Sequence, residues 1–147
     1  MHLADETATV ALARALERTR EGRAVVFLHG ELGAGKSTLA RAWLRACGVE
    51  GAIRSPTYTL VEQYPLPADG VALHLDLYRI GDPGELEFLG LDGEIRLWLV
   101  EWPERGQGAL PQADLDIELA VEGAGRRCRL RPNTETGQAW LNEMASG

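Results

Sequence analysis

The residues Ala24-Val25-Val26-Phe27-Leu28 run almost directly into a glycine-rich octapeptide, Gly30-Glu31-Leu32-Gly33-Ala34-Gly35-Lys36-Ser37. Nothing else in the 147-residue chain restricts its fold as tightly. A short, unbroken apolar run reads as a strand buried on both faces, the environment of a parallel sheet covered by helices. Ser37 to Cys47 then places Leu39, Trp43, Leu44 and Cys47 inward on a helix, and Gly48 stands in the C′ position that ends one. Buried strand, glycine loop and helix in that order match G-x-x-x-x-G-K-[ST] together with its required context. Each residue type has a physical task there. Gly30, Gly33 and Gly35 let successive backbone N–H groups turn toward phosphate oxygens, and the positive end of the helix points at the same place. Lys36 supplies a flexible cation for β- and γ-phosphates, and Ser37 a hydroxyl for Mg²⁺. The pattern predicts binding of a nucleoside triphosphate with Mg²⁺.

The remaining segments extend the same architecture. Asp5 to Arg20 reads as a helix with Ala8, Leu12, Ala15 and Leu16 on one face and Glu17, Arg18 and Arg20 outside it. Ser55-Pro56-Thr57-Tyr58 reads as a turn into an extended segment, Thr59 to Tyr64. Val71 to Leu77 alternates, with Leu73, Leu75 and Leu77 on one side and His74 and Asp76 on the other. Gly81 to Gly84 is a turn before a short helical stretch, Glu85 to Leu89, and Leu97 to Val100 is a second fully apolar strand ending on Glu101. Leu115, Ile117, Leu119 and Val121 alternate with acids in a half-exposed strand. Gly123-Ala124-Gly125 then turns it into Arg126 to Arg131, and Thr134 caps a last helix holding Trp140, Leu141 and Met144. The expectation is one α/β domain over residues 1–147, a mainly parallel sheet flanked by helices with an antiparallel hairpin near the C-terminus.

Charge and cysteine usage exclude some functions. Fifteen basic against twenty-two acidic residues leave a net charge of −7. That opposes tight binding of a nucleic-acid backbone by this chain alone, because such affinity comes from Lys and Arg displacing counterions. Any nucleic acid in its biology would be held by partners, and no DNA binding is expected. Cys47 and Cys128 have no metal-ligand spacing and read as small buried hydrophobes. The start, Met1-His2-Leu3-Ala4-Asp5-Glu6, lacks the basic and apolar regions of a signal peptide, and no apolar stretch approaches the roughly 20 residues of a membrane span. The reading is a cytoplasmic protein with no membrane contact.

A phosphate cradle that hydrolyses its ligand needs a strand-end carboxylate for the metal. Glu101 after the apolar run and Asp76 beside His74 are the two candidates. Thr57, after Pro56, is placed as the threonine of a switch loop that senses a γ-phosphate. His74 alone reads more readily as a packing histidine than as a catalyst, and Trp102 as core or rim as readily as a stacking platform. No N-K-x-D sequence that reads guanine is present, so adenine is the expected base. The region after the loop is too short for the acceptor lid of a nucleoside monophosphate kinase. A nucleotide-timed binding switch and a small-molecule kinase remain as alternatives to an ATPase.

Five blocks together resemble the TsaE family: Gly30 to Ser37, Ser55-Pro56-Thr57-Tyr58-Thr59-Leu60-Val61-Glu62, His74-Leu75-Asp76-Leu77-Tyr78-Arg79, Asp82-Pro83 with Glu85-Leu86-Glu87, and Val100-Glu101-Trp102-Pro103. The resemblance covers about Glu6 to Arg126. Ser37 stands where threonine is commoner, which keeps the hydroxyl. It implies an ATPase that works with the TsaB–TsaD complex, which places a threonylcarbamoyl group on N6 of adenosine 37 in tRNA, with tRNA reached only through that complex. It further implies that Glu31, Leu32, Gly33, Ala34, Gly35, Lys36, Ser37 and Thr38 bind phosphates. By the same likeness Ser37 and Glu101 hold Mg²⁺, Asp76 orients water or metal, and Thr57 belongs to the switch loop. Glu6 and Thr7 would lie by the adenine, and Gly125 and Arg126 would approach the nucleotide from the hairpin.

Overall fold

Burying the two apolar strands side by side organises the molecule. A computed structural model describes residues 1–54, 56, 60–68, 70–88 and 94–146. Strand β1 is His2–Leu3, α1 Glu6–Thr19, β2 Ala24–His29, α2 Lys36–Ala46, β3 Val61–Pro65, β4 Val71–Asp76, β5 Ile95–Glu101, β6 Leu115–Glu122, β7 Gly125–Pro132 and α3 Glu135–Ser146. They form one seven-stranded sheet in the order β1-β7-β6-β2-β5-β4-β3. The central four strands, β6-β2-β5-β4, are parallel. The C-terminal hairpin β6–β7 is antiparallel as expected. A second antiparallel edge, β3 on β4, was not foreseen, and Pro65 closes that edge strand where a missing N–H costs no ladder bond. Also unforeseen is β1, which pairs His2 with Arg127 and Leu3 with Arg126. Two residues are too few to show a period.

The helices end on local signals. Asp5 caps α1, its Oδ1 accepting from the Ala8 N–H at 2.9 Å. α2 closes in a Schellman motif: Gly48 N–H donates to Arg45 O at 3.0 Å and Val49 N–H to Leu44 O at 3.1 Å, with Gly48 at φ 94°. Thr134 caps α3 through the Gly137 N–H at 3.0 Å. The stretch expected to be helical from Glu85 is a 3-10 turn, Pro83–Phe88.

All three helices pack on one face of the sheet. Leu12, Leu16, Leu39, Trp43, Leu44 and Trp140 meet Ala24, Val26, Leu28, Leu97, Leu99, Leu115 and Ile117 there. The buried stripe of α1 runs through Thr9, Leu12, Ala13 and Leu16, so Ala15 is only half-buried. The opposite face carries a smaller core of Leu73, Leu75, Leu77, Ile80 and Val100. Glu17 and Arg20, expected outside, are half-buried between α1 and α2. Glu17 accepts from Arg20 Nε at 2.8 Å and from Trp43 Nε1 at 3.1 Å. Burial pushes the Glu17 carboxyl up, but the bond and charge of Arg20 and the Trp43 bond hold it below its ordinary value. Both cysteines are free, Cys128 buried and Cys47 half-buried, and burial lifts their thiols to about 11 and about 12. Neither ionises near neutrality, as befits packing residues.

Trp43 is fully enclosed and meets Trp140 edge-on, with ring centroids 5.7 Å apart. Trp43→Ala should therefore cost about 3–5 kcal/mol in urea denaturation, chiefly from the void it leaves. A loss under about 1 kcal/mol would contradict this packing.

Candidate functional site

Parallel strands carry ligands at their carboxyl ends, and here β2, β4 and β5 all end at one place. The ladder sets Leu28 of β2 opposite Glu101 of β5, and Glu101 opposite Asp76 of β4. The chain leaves β2 through the glycine loop and enters α2 at Lys36, with Gly35 left-handed at φ 103° as the helix cap. A cleft of about 400 Å³ opens there, and Gly33, Lys36, Ser37, Asp76, Glu101 and Arg126 all line it. A larger depression, about 1110 Å³, runs along β6, β7 and α3, where Arg131 pairs with Glu118 at 2.8 Å. The convergent polar groups are in the smaller cleft.

The glycine loop is held from behind. A Cβ on Gly30 would strike the carbonyl of Leu119, so β6 can approach the loop only because that position is glycine. Arg126 of β7 clamps it from the side, Nε donating to Ala34 O and a terminal nitrogen to Gly33 O, each at 3.0 Å. Gly125 has the same need for space, since a Cβ there would meet Leu3 O. The hairpin thus reaches the loop, and does so through loop carbonyls.

Lys36 is 4 % exposed; its ammonium donates to Gly30 O and lies 3.8 Å from the centre of the Trp102 ring. Burial pulls this amine down from its ordinary value, against the carboxylates of Glu101, Asp76, Glu104 and Glu31. Ser37 Oγ donates to Glu101, 3.2 Å from Oε1 and 3.1 Å from Oε2. Glu101 is buried, and its Oε2 lies 2.6 Å from His74 Nε2. Asp76 is half-buried on the same sheet face, its Oδ1 accepting from the Tyr78 N–H at 3.1 Å. This set of oxygens suits a hard divalent cation that keeps water ligands. Among the described residues no cluster of three or more His, Cys, Asp or Glu forms an all-protein metal cage.

Among the described residues, two non-glycines beside the cleft have left-handed backbones, Leu60 at φ 67° and Trp102 at φ 56°. Each such position costs on the order of 1–3 kcal/mol and persists only where its surroundings enforce it. Leu60 O accepts from the Asp76 N–H at 3.0 Å, and Trp102 stacks on Tyr78 with centroids 4.9 Å apart. Both sites lie next to a proposed metal carboxylate.

The structure brings Lys36, Ser37, Thr38, Asp76, Glu101 and Arg126 to the cleft, with Leu32, Gly33 and Gly35. Glu31 and Ala34 complete the loop turn, Ala34 N–H donating to Glu31 O at 3.0 Å. Glu6 lines a separate groove of about 300 Å³ between α1 and α2 that shares Thr38 with the cleft. Thr7 is exposed on the first turn of α1. Thr57 lies outside the described residues, as do Ser55, Tyr58 and Thr59. Two lining residues, Tyr78 and Arg79, were missed; their signal was their place just past Asp76, where a strand exit over a ligand would put them.

A phosphate-type loop between strand and helix, with its serine against a carboxylate from the adjacent parallel strand, defines the P-loop NTPase class. The model of the family described as "TsaE: Threonylcarbamoyl adenosine biosynthesis protein TsaE" matches residues 3–128. Two curated relatives are each called tRNA threonylcarbamoyladenosine biosynthesis protein TsaE. The one from Haemophilus influenzae is 43% identical over 125 residues, covering 83% of this chain and 78% of the relative. The one from Streptomyces coelicolor is 36% identical over 144 residues, 92% and 95% of the two. The crystal structure of Bacillus subtilis YdiB superposes with a TM-score of 0.80 over 99% of this chain and 93% of that one, at 22% identity, which speaks to fold alone. The chain belongs to the TsaE family.

Proposed function

We propose that this chain binds and hydrolyses Mg-ATP as the ATPase subunit of tRNA N6-threonylcarbamoyladenosine biosynthesis, supporting a TsaB–TsaD complex in the cytoplasm. The observation that carries the reading is the Ser37–Glu101 contact beside Lys36 inside the glycine loop. Hydroxyl, carboxylate and ammonium converge where a Mg-triphosphate presents its metal and its charge. Family membership supplies the pathway.

In this mechanism the loop amides and the start of α2 receive the phosphates, and Lys36 re-aims its flexible stem from Gly30 O toward the β- and γ-oxygens. Ser37 and Glu101 hold Mg²⁺, which when bound neutralises charge developing on the phosphoryl oxygens. Asp76, adjacent in the ladder, orients water or the metal's own water. Thr57 belongs to a switch loop that senses the γ-phosphate. Glu6 and Thr7 lie toward the adenine, and Arg126 stiffens the loop through Gly33 and Ala34. Transfer of the threonylcarbamoyl group belongs to the partners, and so does the grip on tRNA, in keeping with a net charge of −7.

ATP turnover with and without TsaB–TsaD, together with reconstituted tRNA modification with and without this chain, tests the proposal. Turnover that responds to the complex, and modification that fails when the chain is omitted, are expected. Brisk turnover indifferent to the complex would sink the reading, and phosphate delivered to a metabolite instead of water would make the chain a kinase.

A further inference from the structure

His74 is 2 % exposed, and its Nε2 sits 2.6 Å from Glu101 Oε2. It stands two residues before Asp76 on β4, whose parallel pairing with β5 sets His74 beside Leu99 and Asp76 beside Glu101. The imidazole therefore lies below the carboxylate, on the side away from the strand end, while Ser37 approaches from the glycine loop. Its other nitrogen, Nδ1, is buried without a hydrogen-bond partner among the described residues. A buried polar atom left unpaired is uncommon and asks for a reason. Here the reason is tautomeric. With no acceptor for Nδ1 among the described residues, a proton on that nitrogen would be stranded there. On Nε2 it makes a short, charge-assisted bond to Glu101.

We infer that His74 is a positioning residue for the metal carboxylate: it donates Nε2–H to Oε2 of Glu101 and so presents Oε1 as the oxygen offered to Mg²⁺ or its water. This rests on the Mg-nucleotide reading above. A carboxylate alone on a strand end can rotate and can bind a cation through either oxygen or both. With Oε2 engaged from beneath, rotation is blocked and one oxygen faces the cleft. Ser37 Oγ, now shared between both oxygens, can then turn its lone pairs to the cation while the His74 bond holds the carboxylate in place. Outer partners that fix a metal ligand in this way typically govern metal affinity by about 10–100-fold.

The test is the Mg²⁺ dependence of binding a non-hydrolysable ATP analogue. For His74→Ala the Mg²⁺ concentration at half-saturation should rise about 10–100-fold, while analogue binding in EDTA stays within about twofold of wild type. His74→Gln, whose amide N–H can reach the same oxygen, should recover most of the loss. Unchanged Mg²⁺ dependence in His74→Ala overturns the inference, as does an equal loss of binding in EDTA, which would mark a structural role. Because the alanine variant removes a buried ring, ¹⁵N NMR of the wild-type imidazole gives a second readout: a protonated Nε2 is expected, and a bare Nε2 overturns the proposal. Failure of the wild type to bind the analogue at all would instead bring down the nucleotide reading itself.

Discussion

Lys36→Ala is expected to weaken binding of a non-hydrolysable ATP analogue by about 100-fold, which at about 1.4 kcal/mol per tenfold corresponds to about 3 kcal/mol. That is the scale of a charge-assisted bond between a largely desolvated ammonium and a phosphate, at the upper end for hydrogen bonds to charged groups. The fold should survive, because Lys36 contributes little to its core. Its amine is desolvated at a cost that burial imposes, and it donates to the Gly30 carbonyl at the loop entrance. Removing the side chain also frees the Trp102 ring from the ammonium 3.8 Å beneath it, so indole fluorescence should change even without ligand. Calorimetric titration decides the matter: an affinity within about threefold of wild type would show that the glycine-loop cation does not meet the phosphates.

Glu101→Ala should have the opposite profile. At saturating Mg²⁺ the analogue should bind within a few-fold of wild type, while ATP turnover falls by about 10²–10³. The distinction follows from when charge develops. On the proposed reading, loop amides and Lys36 meet the phosphates already in the ground state, whereas placement of the cation by Glu101 matters most as charge builds on the transferring group. The substitution also strips two neighbours of their acceptor, the half-buried Ser37 hydroxyl and the buried His74 ring. Stability should therefore drop by about 1–3 kcal/mol. Glu101→Gln, which keeps a carbonyl oxygen for both donors, should regain most of that stability without regaining turnover. Wild-type turnover in Glu101→Ala would remove Glu101 from the metal site.

Both results depend on a site whose parts were unequally legible. Gly30 to Ser37 declared itself because the phosphate cradle is local: one strand, one turn and one helix contain it, and each residue type there has a steric or electrostatic reason visible in order. Glu101 and Asp76 were legible as strand-end acids, since an apolar run and an alternating run each stop at them. Their partnership was not. That Asp76 stands beside Glu101, and Glu101 beside Leu28, is a property of ladder register between strands up to about seventy residues apart, and no local pattern encodes register.

Four features were decided only by the tertiary structure, for related reasons. His74 read as a packing histidine because a lone imidazole in an alternating strand has no local partner; its partner lies on β5, 27 residues later. Glu17 and Arg20 read as solvated because helical periodicity ranks them polar, yet the packing of α2 on α1 brings Trp43 over them. The short β1 escaped notice, and the extended segment that became β3 gave no sign of its antiparallel place on β4, because pairing, not sequence, decides both. The clamp of Arg126 on Gly33 and Ala34 spans over ninety residues and exists only because β7 folds back beside the loop. The sequence by itself determined the strand, glycine loop and helix from which the proposed chemistry is read, since such a cradle is short-range and stereochemically demanding. The fold decided which side chains serve it, because hydrogen bonds to Glu101 and to the glycine loop come from strands that are neighbours only in space.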